Sequence, residues 1–96
     1  MGIKELLSPK RAAILALAAL HGAENVRVFG SVARGDAGPQ SDVDLLVRMA
    51  NGRSLFDLIG FKLDVADLLG RDVDVLTEGG ISPYLKDDIL RGAVSL

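Results

Sequence analysis

Asp42 and Asp44 are separated by one residue in the run Ser41-Asp42-Val43-Asp44-Leu45-Leu46-Val47. On an extended strand, side chains alternate between faces. Both carboxylates therefore project one way, and Val43, Leu45 and Val47 the other. Two carboxylates this close repel each other, and a cation relieves the repulsion. The chain has one histidine and no cysteine, so the ligands on offer are oxygens. These favour Mg²⁺, with Ca²⁺ or Mn²⁺ next in preference. A further acidic pair follows in Asp72-Val73-Asp74-Val75. Asp72 and Asp74 share a face, one two-residue step of about 7 Å apart, and spacing alone does not choose between them. Asp74 is flanked by two valines expected in the core, so its position is the better fixed. Three convergent carboxylates can hold two Mg²⁺ ions, an arrangement suited to phosphate esters.

Gly30-Ser31-Val32-Ala33-Arg34-Gly35 supplies the opposite charge. Gly30 follows a short apolar strand and permits close backbone approach. Ser31 opens a helical turn, so its hydroxyl and the free amides nearby point at one spot, an anion site. Arg34, three residues on, lies on the same side and adds a planar fork for phosphate oxygens. Phosphate donors beside metal-binding carboxylates describe a nucleoside-triphosphate site. Each part alone is ordinary on a protein surface; it is their projection toward one edge of one sheet that points to chemistry. His21 reads as a helix-end residue, Tyr84 as a packing residue, and Asp87-Asp88 as a solvated helix face.

The elements that must carry these groups follow from periodicity and punctuation. Ser8-Pro9 reads as the start of a helix with Ile14, Leu17, Ala18 and His21 at helical spacing, stopped by Gly22. Val26 to Phe29 is a strand, and Asp42 to Arg48 a second. Ser54 caps another helix, with Asp57 completing a capping box. Leu58, Phe61, Val65 and Leu68 form its buried stripe, and Gly70 ends it. Val73 to Thr77 is a third strand and Glu78-Gly79-Gly80 a turn. Ser82-Pro83 opens a last helix, expected to be buried through Leu85, Ile89 and Leu90. The expected fold is a single α/β domain over residues 1–96: a small mixed sheet with helices packed on one face.

The 96 residues are 49% hydrophobic but only 4% aromatic, so the core is aliphatic. Thirteen acidic against eleven basic residues give a net charge of −2, which argues against direct nucleic-acid binding. The longest apolar run, Ala12 to Leu20, spans nine residues, short of the roughly 20 a membrane span needs. A cytoplasmic protein is the expectation.

Gly30-Ser31, ten intervening residues, then Asp42-Val43-Asp44 resembles the signature of the polymerase-β-like nucleotidyltransferases. The fuller pattern through Leu45, with Asp74 in Val73-Asp74-Val75 and the tail from Ser82-Pro83-Tyr84-Leu85 to Ile89-Leu90, resembles the minimal (MNT-domain) branch, antitoxins of HEPN/MNT pairs. The resemblance implies a nucleotidyltransferase palm core. It implies that Asp42 and Asp44 bind the metals and the triphosphate of ATP, and that Asp74 completes the metal site and activates the attacking hydroxyl. Ser31 and Arg34 would hold the β and γ phosphates beside Gly30. It also implies a HEPN-domain toxin as partner, silenced by transfer of AMP to a tyrosine. Size agrees independently: three strands and three helices leave no segment for an acceptor-binding domain, so the acceptor is expected to be a protein. The competing expectation is an antitoxin that neutralises by binding alone.

Overall fold

A computed structural model describes residues 1–96. Its elements are α1 (Ile3–Leu6), a 3₁₀ turn (Ser8–Lys10), α2 (Arg11–His21), β1 (Ala23–Phe29), α3 (Gly30–Arg34), β2 (Val43–Met49) and α4 (Leu55–Leu69). They continue with β3 (Val73–Thr77), a 3₁₀ turn (Glu78–Gly80), α5 (Pro83–Gly92) and β4 (Val94–Ser95). The sheet order is β3-β2-β1-β4. β1 runs antiparallel to β2 and β4, and β2 parallel to β3. The sheet is therefore mixed, as expected.

The alternation in β2 does its work. Val43, Leu45 and Val47 are fully buried and join Ile14 and Ala18 of α2 with Phe61 and Val65 of α4 in one aliphatic core. Leu58 and Leu68 pack against that core only partly buried. The core therefore holds α2 and α4 together over one face of the sheet. His21 Nε2 stands 2.7 Å from Asp64 Oδ2 and links the end of α2 to α4. Ser54 accepts from Phe56 N–H while Asp57 accepts from Ser54 N–H, the capping box read from sequence.

Several details differ from the expectation. α2 is preceded by a 3₁₀ turn, and Ser8 provides no side-chain cap. β1 begins at Ala23 because Gly22, at φ 74°, turns the chain straight into the strand. A register shift follows between Glu24 and Arg27, where Asn25 takes a positive φ of 51°. Asn tolerates that region because its short polar side chain can hydrogen-bond locally. β2 starts at Val43, so Asp42 sits one residue before it.

The larger correction concerns α5, which buries no residue: Leu85 is 55% and Leu90 37% exposed. Only Ile89 is half-buried, where α5 lies against α3 and β1. The face of β2 that carries Asp44 also carries an apolar residue. Leu46, two residues beyond Asp44, is fully buried where the turn at Glu78–Gly80 packs on β2. No helix is long and apolar enough to cross a membrane.

Candidate active site

Asp44 and Asp74 are direct partners in the parallel β2–β3 register. Strand alternation opposite the buried Val43 and Val73 turns both carboxylates to the same face. The register pairs Val43 with Val73, and Val43 N–H donates to the Asp72 carbonyl at 3.0 Å. Asp72 thus lies one step behind Asp74, on the rim near Asp42. Asp44 is half-buried, whereas Asp42, Asp72 and Asp74 are exposed.

The phosphate turn is built into the same place. Phe29, the last residue of β1, is the partner of Asp44 across the antiparallel ladder. Gly30 then takes φ +73°, and a β-carbon there would overlap Asp44 Oδ2. α3 begins at that point with no side-chain cap, so its first amides remain available beside the Ser31 hydroxyl. Arg34, in its last turn, is two-thirds exposed and makes one loose contact, 3.3 Å to Asp36. The sequence-predicted groups Gly30, Ser31, Arg34, Asp44 and Asp74 therefore stand around one point of the sheet, with Asp42 on its rim.

Burial holds the Asp44 carboxyl above its ordinary pKa, and the charges of Asp74 and Asp42 push it the same way against the opposing pull of Arg34. Negative charge is thus in excess at this point. No three carboxylates are drawn close enough to form a ready-made cage. A cation here would share its ligand shell with a second source of oxygens, as a triphosphate supplies. The donor set suits Mg²⁺: all oxygen, like-charged and half-desolvated at Asp44.

Two residues in the site escaped the sequence reading. Lys62 of α4 places Nζ 3.9 Å from Asp74 Oδ1. It is the one basic residue within Leu55–Leu69, a signal that could have singled it out. Arg71 donates to the Gly38 and Ser41 carbonyls at 3.3 and 3.0 Å, tying down the loop that delivers Asp42. A charge whose partners are loop carbonyls leaves no trace in spacing.

Clefts flank the carboxylates; one, of about 400 Å³, lies at the rim by Asp42, Arg71 and Asp72, and two more lie nearer Asp44. One, of about 360 Å³, lies between α3 and α5 and includes Phe29, Gly30, Arg34 and Ile89. The other, of about 310 Å³, lies between α4 and β3 and includes Asp42, Lys62, Leu63 and Asp74. Each reaches the size of a small-ligand site, one on the phosphate-turn side and one on the Asp74 side. Asp44 lines neither cleft, but it neighbours Gly30 of the first and pairs with Asp74 of the second.

A mixed sheet carrying this turn and these carboxylates defines a nucleotidyl-transfer fold. The chain belongs to the nucleotidyltransferase domain family, whose model matches residues 11–96. It is 45% identical over 76 residues to MJ0435 of Methanocaldococcus jannaschii, named as a candidate protein adenylyltransferase; the match covers 79% of this chain and 82% of that one. A solved structure described as a candidate minimal nucleotidyltransferase superposes with a TM-score of 0.87 at 48% identity, covering 100% of this chain and 97% of the other. The fold is thus the minimal nucleotidyltransferase fold. A toxin–antitoxin crystal structure with AMP-PNP shares that fold, with a TM-score of 0.75 at 21% identity over 88% of this chain and 69% of its own.

Proposed function

We propose that the chain, acting as one domain over residues 1–96, is a Mg²⁺-dependent protein adenylyltransferase. It transfers AMP from ATP to a hydroxyl, a tyrosine of a partner HEPN toxin, and so serves as the antitoxin. The observation that carries the reading is the meeting of Gly30, Asp44 and Asp74 at one point of the sheet. Support comes from the 45%-identical relative named for protein adenylylation and from the fold shared with a toxin–antitoxin complex.

In this reading Ser31, the α3 amides and Arg34 hold the β and γ phosphates, and Asp42 and Asp44 hold the metal ions with the triphosphate. Asp74 completes the ligand set. Bound Mg²⁺ supplies charge neutralisation and acidifies the acceptor hydroxyl. The acceptor oxygen attacks the α-phosphorus in line, and its proton passes to the Asp74 carboxylate. The bond to the α,β-bridging oxygen breaks and pyrophosphate leaves. Charge builds on that bridging oxygen, where Ser31 and Arg34 stabilise it.

The test is to incubate the purified chain with ATP, Mg²⁺ and the protein encoded by the adjacent gene, then weigh that protein intact. A gain of one or more AMP units, absent with Asp42→Asn/Asp44→Asn, is the expected result. No gain, with a tight complex that still silences the partner, overturns transfer in favour of neutralisation by binding alone.

A further inference from the structure

The cleft beside Asp74 opens onto a surface that no element of the chain covers. β3 is the end strand of the sheet, so its outer edge has no strand partner. Alongside it, Leu55, Ile59 and Leu63 recur one helical turn apart on α4 and share a face. They are 68%, 42% and 60% exposed, and neighbouring Phe56 is 84% exposed. Leu63 also lines the cleft with Val73, Asp74 and Asp42. The apolar stripe therefore runs without a break into the carboxylates.

We propose that this face, the Leu55–Phe56–Ile59–Leu63 stripe with the free edge of β3, is where the protein acceptor docks. The inference rests on the adenylyltransferase reading for the identity of the acceptor. A row of exposed large side chains beside open backbone donors and acceptors marks a protein contact. Its position decides which protein: a chain seated there lies against the cleft that Asp74 lines, while Gly30 and Arg34 of the phosphate turn line a different one.

Charge sets the chemistry of that partner. Asp67 lies one turn beyond Leu63, and Asp42, Asp72 and Asp74 edge the cleft. Lys62, the cation among them, is engaged with Asp74. The matching surface is apolar at its centre and basic at its rim. A second copy of this chain would bring the same acidic rim against itself, so the acceptor is the better occupant.

The experiment measures binding of the adjacent gene's product to the whole chain by calorimetry, alongside the transfer assay. Phe56→Arg and Ile59→Arg alter exposed positions outside the carboxylate set. Each should weaken the complex by about 30-fold or more, the loss typical of a central contact residue, with ATP affinity unchanged. Asp67→Lys should weaken it less, and added salt should weaken the wild-type complex. Val94→Arg, on the opposite edge of the sheet, should bind as wild type. Wild-type affinity in both arginine variants overturns the proposal. So does a wild-type chain that forms no complex, or variants that lose only self-association in sedimentation. A complex that forms and weakens as expected, yet never transfers AMP, supports the docking face and defeats the adenylyltransferase reading.

Discussion

Gly30 leaves the space that Asp44 occupies: a β-carbon at position 30 would collide with Asp44 Oδ2, and the φ of +73° there suits only glycine at low cost. The phosphate turn and the carboxylate strand are thus fitted to each other. Gly30→Ala should strain the turn by about 1–2 kcal/mol and displace Asp44 as well. AMP transfer should fall by orders of magnitude while far-UV circular dichroism stays near wild type. A Gly30→Ala enzyme of ordinary activity would show that this fit does not matter.

Asp44 gives a pH signature. Its folded pKa is raised, first by burial and then by Asp74 and Asp42. Its protonated form is therefore favoured by folding. The stabilisation is complete below the unfolded carboxylate pKa, near 3.9, and is lost as pH rises through the higher folded value. In EDTA, Tm should decline across that window in the wild type and less so in Asp44→Asn. At neutral pH Mg²⁺ should raise the wild-type Tm, because an ion bound only by the folded state stabilises it, and should leave Asp44→Asn nearly unmoved. Melting curves with and without Mg²⁺ check both.

Arg34 is exposed and only loosely engaged by Asp36, so it is free to bind phosphate. Hydrogen bonds to charged groups contribute about 1.5–3 kcal/mol. Arg34→Ala should therefore raise KM for ATP by about 10- to 100-fold. Arg34→Lys should recover part of that, since a point charge replaces a two-pronged donor. Initial rates at varied ATP distinguish the two variants.

Ser54 tests the scaffold rather than the chemistry. Its hydroxyl accepts from Phe56 N–H at 3.2 Å at the start of α4. Ser54→Ala should cost about 1 kcal/mol and lower Tm by about 4–8 °C, with transfer unchanged well below the transition. Asp57, held below its ordinary pKa first by Ser54 N–H and then by Arg53, contributes stability at neutral pH. That contribution is lost as pH falls through its lowered value; because the Ser54 backbone N–H and Arg53 remain in Ser54→Ala, the deficit of that variant should stay nearly constant with pH while Asp57→Asn loses its deficit in acid.

Much of this was written where the sequence could carry it. β3 matches its expected limits and β2 lies within one residue of them, because alternation of Val and Asp over a half-buried strand is a strong signal. The Ser54–Asp57 box and the Gly22 and Gly70 stops are equally local. No local signal pairs Asp44 with Asp74; the parallel register of β2 and β3 does so.

Other features had no local signature. α1 is four residues long, too short to hold by propensity, and is followed by Leu7, which is fully buried in the core. β4 is two residues, defined only by pairing with Arg27 and Val28. For α5, periodicity identified which residues share a face but not whether anything covers it. Leu85 and Leu90 accordingly read as core and stand in solvent. Lys62 and Arg71 act across the tertiary fold, on Asp74 and on the Asp42 loop, and their partners become visible only with the chain folded.

The parallel pairing of β2 with β3 has a consequence for how the molecule fails. Asp44 meets Gly30 through a neighbouring antiparallel connection, but it meets Asp74 only across a crossover that contains all of α4. Closing that longer segment costs more chain entropy, and α4 offsets it by filling, with Phe61 and Val65, the same core that seats Val43, Leu45 and Val47. Loosening α4 would therefore free Asp74 and unseat the Asp44 strand together, so a failing copy loses its carboxylates as one unit.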